Sequence, residues 1–309
     1  MHRFAPVGLG VPAGSAFLLV LLFALCGGAS ATSTPPRPAL PVTVKAANGK
    51  VTIRHRPRRI VSLSPTSTED LFAIGAGHQV VAVDEFSDYP KQTPRTKLSP
   101  YTPNVEAIAG YRPDLVVVTT DANHVVSALG KLHVPVLLEP AAKNLAGAYA
   151  QIRQLGVATG HRRAAAALAT RIRKRVAALV ASVPKRSLSV YHELSPSHYS
   201  ATSGTFIGSI YRLFGLKNIA DGAASGGSDY PQLSDEYIVG ANPDLIVLAD
   251  TTCCGQNAGT VKARPGWSSI TAVQRGAIVL VDDSIAARWG PRITTFVATI
   301  ARALRSTPR

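Results

Sequence analysis

Short apolar runs recur along most of the chain, each four or five residues long and separated by stretches with helical spacing. They fall at residues 60–63, 80–83, 115–118, 134–138, 188–191, 245–248 and 278–281. Such runs read as strands buried on both faces, and their alternation with helices predicts mainly parallel α/β sheets. Upstream, Val42-Thr-Val-Lys45 and Val51-Thr-Ile-Arg54 alternate around Asn48-Gly49, a turn pair that predicts a β-hairpin. Ser64-Pro-Thr-Ser-Thr-Glu69 closes the first parallel strand and opens a helix. Pro65 suits its first turn, Thr66 and Glu69 stand at capping-box spacing, and Leu71, Phe72 and Ile74 supply the buried face.

The most informative pattern is a repeat. Val105-Glu-Ala-Ile-Ala-Gly-Tyr-Arg-Pro-Asp-Leu-Val-Val-Val118 aligns without gaps on Asp235-Glu-Tyr-Ile-Val-Gly-Ala-Asn-Pro-Asp-Leu-Ile-Val-Leu248, 130 residues later, with seven of fourteen positions identical. A period this long lies far beyond the roughly 20–50 residues of solenoid repeats and indicates two equivalent lobes. Between them, Leu168, Ile172, Val176, Leu179 and Val183 mark one face of a helix over residues 161–183, about 35 Å long and bounded by Gly160 and Pro184. The predicted architecture is α/β: two Rossmann-like lobes, residues 58–160 and 184–309, joined by this single long backbone helix. The stiff connection implies a fairly preformed ligand cleft between the lobes.

Composition adds location. The chain has 309 residues, 46% hydrophobic and 17% charged, well inside the range of folded proteins. His2 and Arg3, the apolar run 17–25 and Ala29-Ser30-Ala31 form a secretory leader over residues 1–31, too short to span a bilayer. Cys26-Gly-Gly resembles a lipoprotein acylation site, although Leu25 stands where a small residue is usual, so lipidation of Cys26 and its removal with the leader both stay open. The chain is expected to be secreted, periplasmic or held at the outer face of the cytoplasmic membrane. Residues 32–57 hold a proline-rich tether and the hairpin. The net charge is +15, and no acid falls between Glu139 and Glu193 while ten Lys and Arg do. Scattered basic residues without a recognisable module argue against nucleic acid. A solvated basic face or contact with an anionic membrane or wall surface remain as readings.

Three cysteines exclude a disulfide scaffold. Cys253 and Cys254, just beyond a strand, either pair with each other or remain free or bridge between molecules. His192, Glu193 and His198 are the residues that free zinc or manganese would use, but their spacing fits no helical metal motif. No nucleophile elbow or phosphate loop is present, so catalysis is not expected.

In chain order, Arg59-Ile-Val-Ser-Leu-Ser-Pro65, Thr68-Glu69, Ser87-Asp-Tyr-Pro90, Asn104-Val-Glu106, Arg112-Pro-Asp-Leu115, Tyr230-Pro-Gln-Leu233, Arg264-Pro-Gly-Trp267 and Gly290-Pro-Arg292 resemble the helical-backbone (class III) substrate-binding proteins of ABC importers. That group includes cobalamin-, haem- and ferric-siderophore-binding proteins, and the resemblance runs over about residues 58–304. It implies a monomeric receptor, with no cofactor or resident metal of its own, that captures a metal chelate and delivers it to the permease subunits, whose ATPase is a separate partner. Glu106 and Glu236, equivalent in the repeat, fall where the family docks on permease arginines. Loops after strands are expected to line the cleft, with Ser64, Pro65, Phe86, Tyr89, Tyr101, Ser203, Phe206, Tyr230, Trp289 and Arg292 as candidates. Tyr101 and Tyr230 stand where cobalamin-binding members carry tryptophan, and Phe86 where they carry tyrosine. Aromatic walls suit a large flat ligand, and the sequence does not rank the three ligand types.

Overall fold

The computed structural model describes residues 40–223 and 227–306. The leader over residues 1–31, Cys26 and the tether through residue 39 lie outside the described residues. The hairpin forms as β1 (Val42–Ala46) and β2 (Gly49–Ile53), antiparallel, with Val42, Val44, Val51 and Ile53 turned into the core.

The first lobe follows as β3 (Ile60–Leu63), α1 (Pro65–Ala73), β4 (Val80–Asp84), β5 (Arg95–Leu98), α2 (Val105–Gly110), β6 (Leu115–Val118), α3 (Val125–Lys131), β7 (Val136–Leu138) and α4 (Leu145–Thr159). Its strands make one parallel sheet in the order β5-β4-β3-β6-β7. The connecting helix α5 (Arg162–Ala181) is about 30 Å long at 1.5 Å per residue. The second lobe comprises β8 (Ser189–Glu193), α6 (Phe206–Leu213), β9 (Lys217–Asn218), α7 (Asp235–Ala241), β10 (Leu245–Leu248) and α8 (Thr251–Cys254), then α9 (Ala258–Lys262), α10 (Thr271–Gln274), β11 (Ile278–Leu280), α11 (Asp283–Ala286) and α12 (Ile293–Ser306). Its parallel sheet runs β11-β10-β8-β9, separate from the first.

All seven apolar runs become strands. The two parallel strands missing from that pattern, β5 and β9, are polar, and both are outermost in their sheets, where one side faces solvent. The start of α1 differs from the expected capping box. Ser64 is the cap, its Oγ accepting from the Ser67 amide at 3.2 Å. Glu69 is buried and turned away toward the second lobe, because two arginines there bind it.

The repeat has a physical reason. Asp114 Oδ2 and Oδ1 accept from the amides of Arg58 and Arg59 at 2.8 and 2.9 Å. Asp244 Oδ2 accepts from the Ser189 amide at 2.9 Å. Each aspartate thus pins the entry of its sheet's first strand, β3 or β8. Just before it, Arg112 (φ +48°) and Asn242 (φ +46°) adopt the same left-handed turn.

One continuous core joins the lobes. It runs from Ile60, Leu115 and Val117 through Ile152 of α4 and Leu168, Ile172 and Val176 of α5 to Val190, Leu245 and Val247, and on to Phe296 and Ile300 of α12. Helices α4 and α5 come so close that a Cβ on Gly156 would collide with the Cβ of Ala165. Because α5 is a shared wall and not a tether, Ile172→Ala should cost about 2–5 kcal/mol and lower the urea midpoint of a single transition. Two separated transitions by tryptophan fluorescence and far-UV circular dichroism would contradict the shared core.

Candidate functional site

In each sheet the chain starts on an interior strand and then builds to both sides. The resulting switch point, between β3 and β6 in the first lobe and between β8 and β10 in the second, opens a crevice at the strands' carboxyl ends. A cleft of about 390 Å³ lies at the carboxyl ends of the first-lobe strands and is closed by the segment after β11, an edge strand of the second sheet. Its first-lobe wall comes from the segments after all of β3 to β6: Ser64, Pro65 and Thr66, Phe86, Pro100 and Tyr101, Thr119 and Thr120. Its second-lobe wall comes from the segment after β11: Asp283, Ser284, Ala287, Arg288 and Trp289.

Phe86 and Tyr101 meet edge to face with ring centroids 5.5 Å apart, and both are largely exposed, Tyr101 at 71%. Opposite them Trp289 is held by its indole N–H, which donates to Gln151 Oε1 at 2.7 Å. Its ring also lies 6.5 Å from Phe206. An exposed aromatic pair with no further ring partner among the described residues is apolar area available to a ligand.

Behind this wall an ion cluster crosses between the lobes. Glu69, 2% exposed, accepts from Arg288 Nη1 at 3.0 Å and from Arg292 Nε and Nη2 at 3.0 and 2.7 Å. Arg288 also donates to Asp88 Oδ1 at 2.7 Å and to the Phe86 carbonyl at 2.9 Å. Two further carboxyls follow, Asp70 beside Glu69 and Glu139 near Asp70. Burial, followed by the charges of Glu69 and Glu139, pushes the Asp70 carboxyl well above its usual range, and burial alone pushes Glu139 up to about 8. Asp70 Oδ1 and Glu139 Oε1 have no hydrogen-bond partner, as befits groups held neutral.

Of the ten residues expected at the cleft, Ser64, Pro65, Phe86, Tyr101 and Trp289 line it. Phe206 is buried in the core behind Trp289. Arg292 is bound to Glu69, with its guanidinium 4.3 Å over the ring of Tyr89, so both serve the ion cluster and not the cleft wall. Ser203, whose amide donates to Asp221 Oδ1 at 2.7 Å, and the half-exposed Tyr230 are not among the lining residues. Sequence reasoning missed Pro100, Thr119, Thr120, Asp283, Ser284, Ala287 and Arg288. Thr119 and Thr120 directly follow a recognised strand and could have been found by the same loop rule.

Cys253 and Cys254 are joined as a vicinal disulfide, both exposed, with Cα atoms 3.8 Å apart. Their turn is held by Asp283, which accepts from the amides of Thr252 at 3.0 Å and Cys253 at 2.7 Å. Since Asp283 lines the cleft, the disulfide turn is tied to its second-lobe wall. Glu106 and Glu236 are exposed at the first turns of α2 and α7, the equivalent helices of the repeat. His192, Glu193 and His198 do not assemble into a metal site. His192 is buried, its Nδ1 2.6 Å from the Tyr211 hydroxyl, and burial lowers its pKa to about 3. Glu193 receives two guanidinium bonds from Arg264, each 2.6 Å. Among the described residues no group of three or more His, Cys, Asp or Glu is arranged to hold a metal ion.

The sequence model described as periplasmic binding protein matches residues 60–285. The chain is 32% identical over 276 residues to an uncharacterized ABC transporter substrate-binding lipoprotein of Bacillus subtilis, covering 85% of each chain. It is 32% identical over 316 residues to a cobalamin-binding protein of Halobacterium salinarum, covering 94% of this chain and 85% of that one. Its fold matches the crystal structure of a possible iron-binding (periplasmic solute-binding) protein from Staphylococcus epidermidis. There the TM-score is 0.69 and the identity 26%, covering 81% of this chain and 99% of that one.

Glu139 offers a test of the neutral carboxyls. Its ordinary value is 4.5, so in the folded chain it keeps a proton that the unfolded chain releases. The stability tied to that proton is intact below about pH 4.5 and is lost as pH rises toward 8. Glu139→Gln cannot ionise. Its stability relative to the parent chain should therefore rise by roughly 2–4 kcal/mol between pH 5 and pH 8 in urea melts. A constant difference across that range would mean that Glu139 is charged in the native state.

Proposed function

Because the chain belongs to the periplasmic binding protein family, we propose that its interlobe cleft receives a metal chelate, a corrin of the cobalamin type, and presents it to an ABC permease. The observation that carries this reading is the aromatic wall of Phe86, Tyr101 and Trp289, drawn from both lobes. Its unpartnered ring faces suit a macrocycle whose contact grows with ring area. The relatives are binding and transport proteins, and the chain acts on the extracytoplasmic side, in agreement with the leader expected from the sequence.

Among the three chelates the polar lining favours the corrin. Among the described residues Arg288 is the one cation on the cleft wall, and three of its N–H donors are engaged with Glu69, Asp88 and the Phe86 carbonyl. A haem would bring two carboxylates with no free cation to receive them, which is costly in a partly desolvated cleft. The amide-fringed corrin instead meets hydroxyls of Ser64, Thr66, Thr119, Thr120 and Ser284. The protein does no chemistry in this reading. It is a monomer that shuttles cargo, and ATP hydrolysis belongs to a partner subunit.

Glu106 and Glu236 are the proposed permease contacts, one per lobe, since two exposed carboxylates a repeat apart fix register when each meets an arginine. Glu106→Ala/Glu236→Ala should abolish uptake while leaving cargo affinity unchanged; undiminished transport would remove both residues from the docking role.

Fluorescence tests the cargo. Trp267 is fully buried, so Trp289 is the reporter. Cobalamin should quench it saturably, Trp289→Phe should remove most of the signal, and Phe86→Ala should weaken binding by about tenfold. Saturable binding of haem in place of cobalamin would refute the choice of corrin, and no response to cobalamin, haem or a ferric siderophore would refute chelate capture.

A further inference from the structure

One helical layer of this molecule is free of acids. Helix α5 packs against both α4 and α12, and none of the three contains an Asp or Glu. Six cations, Arg162, Arg163, Arg171, Arg173, Lys174 and Arg175, stand exposed on α5. Arg153 on α4 and Arg302 and Arg305 on α12 are exposed too. Among the described residues, none of these nine side chains forms an ion pair, whereas Arg264, Arg288 and Arg292 of the second lobe all do. The nine cations are set against a net charge of +15 for the whole chain.

The geometry is that of a face. At about 100° per residue, Arg163 and Lys174 point roughly 160–180° away from the core residue Ile172, Arg162 and Arg173 roughly 80–100° to one side of it and Arg171 and Arg175 roughly 60–100° to the other, so the six cations cover the solvent-facing half of the helix. From Arg162 to Arg175 the array runs about 20 Å along the helix. Neither the cleft nor a second cavity, between the hairpin and α3, takes a lining residue from these helices. A small anion is gripped in a concavity, whereas an extended acid-free face fits an extended anionic surface. The other exposed positions of α5 between and just after the cations are alanine, Ala164, Ala166, Ala167, Ala177 and Ala178, so α5 offers nothing large and apolar for insertion there.

We propose that the face formed by α4, α5 and α12 docks on an anionic phospholipid bilayer, lying on the headgroups without entering the hydrocarbon. The proposal rests on the reading that the protein works at the outer face of the membrane holding its permease, where this surface is at hand. Each Lys or Arg within a Debye length of anionic headgroups adds to the attraction, and the sum is salt-sensitive. The face would hold the receptor near the membrane between encounters with the permease.

The test is sedimentation of the purified chain with vesicles of phosphatidylcholine alone or mixed with phosphatidylglycerol. Binding should require phosphatidylglycerol and weaken as salt rises to about 0.15 M. The variant Arg171→Gln/Lys174→Gln/Arg175→Gln should bind about 100-fold less tightly. Lys91→Gln/Lys97→Gln/Lys131→Gln, which removes equal charge from exposed sites elsewhere, should bind like the parent. If circular dichroism shows the first variant misfolded, Arg162→Gln/Arg163→Gln/Arg173→Gln probes the same face. Equal loss in the Lys91 triple, binding to phosphatidylcholine alone, or no binding at low salt would each overturn the proposal. No cargo enters the assay, so its failure would leave the reading of the cleft standing.

Discussion

A carboxylate as buried as Glu69 is stable only because Arg288 and Arg292 reach it from the other lobe. Removing either side of such a pair commonly costs about 3–5 kcal/mol, since the surviving charge stays desolvated. Much of the cleft depends on this contact. Arg288 is fixed by Glu69 and in turn holds the Phe86 carbonyl, so one guanidinium sets the spacing between the Phe86 segment and Trp289 next to it in the chain. The Tyr89 ring under Arg292 extends the same junction. Together with the core that runs through α5, the ion cluster makes the two lobes one mechanical body, and hinge closure of the cleft would have to break both.

The parts of this design that repeat locally were legible in the sequence. Period and burial show in the apolar runs, and the two copies of Pro-Asp-Leu revealed the lobes because the aspartate must pin a neighbouring strand in each. What was lost involves partners distant along the chain. Glu69 looks like a helix-capping residue until Arg288 and Arg292, more than two hundred positions away, are placed beside it. Arg292 looks like a ligand contact for the same reason. The strands β5 and β9 escaped because edge positions carry polar residues with no burial pattern. Tyr101 stands out in either view, since an edge-to-face contact with Phe86 leaves its aromatic ring 71% exposed.

Two kinds of acidic group have been built for opposite ends. Glu106 and Glu236 are solvated and remain free to meet a partner. Asp70 and Glu139 are buried without compensating cations and are held neutral, so they add no charge behind the cleft wall. Arg288, whose charge does reach the wall, is matched by Glu69 and Asp88. The cleft therefore presents rings, hydroxyls and the Asp283 carboxylate with no unmatched cation among its described lining residues, although the chain as a whole is strongly basic.

That separation matters for a shuttle. Long-range attraction from net charge raises encounter rates with any anionic partner, whereas selectivity for cargo comes from groups in contact with it. Cations on the cleft wall would bind anionic metabolites of many shapes, and the shared charge would dominate the smaller differences in ring contact. Leaving unpaired cations on the solvent-facing exterior, while neutralising Arg288 at the cleft, keeps discrimination with the aromatic and hydroxyl contacts. The charges of this helical layer can change without altering the cleft lining, because no residue of α4, α5 or α12 lines the cleft.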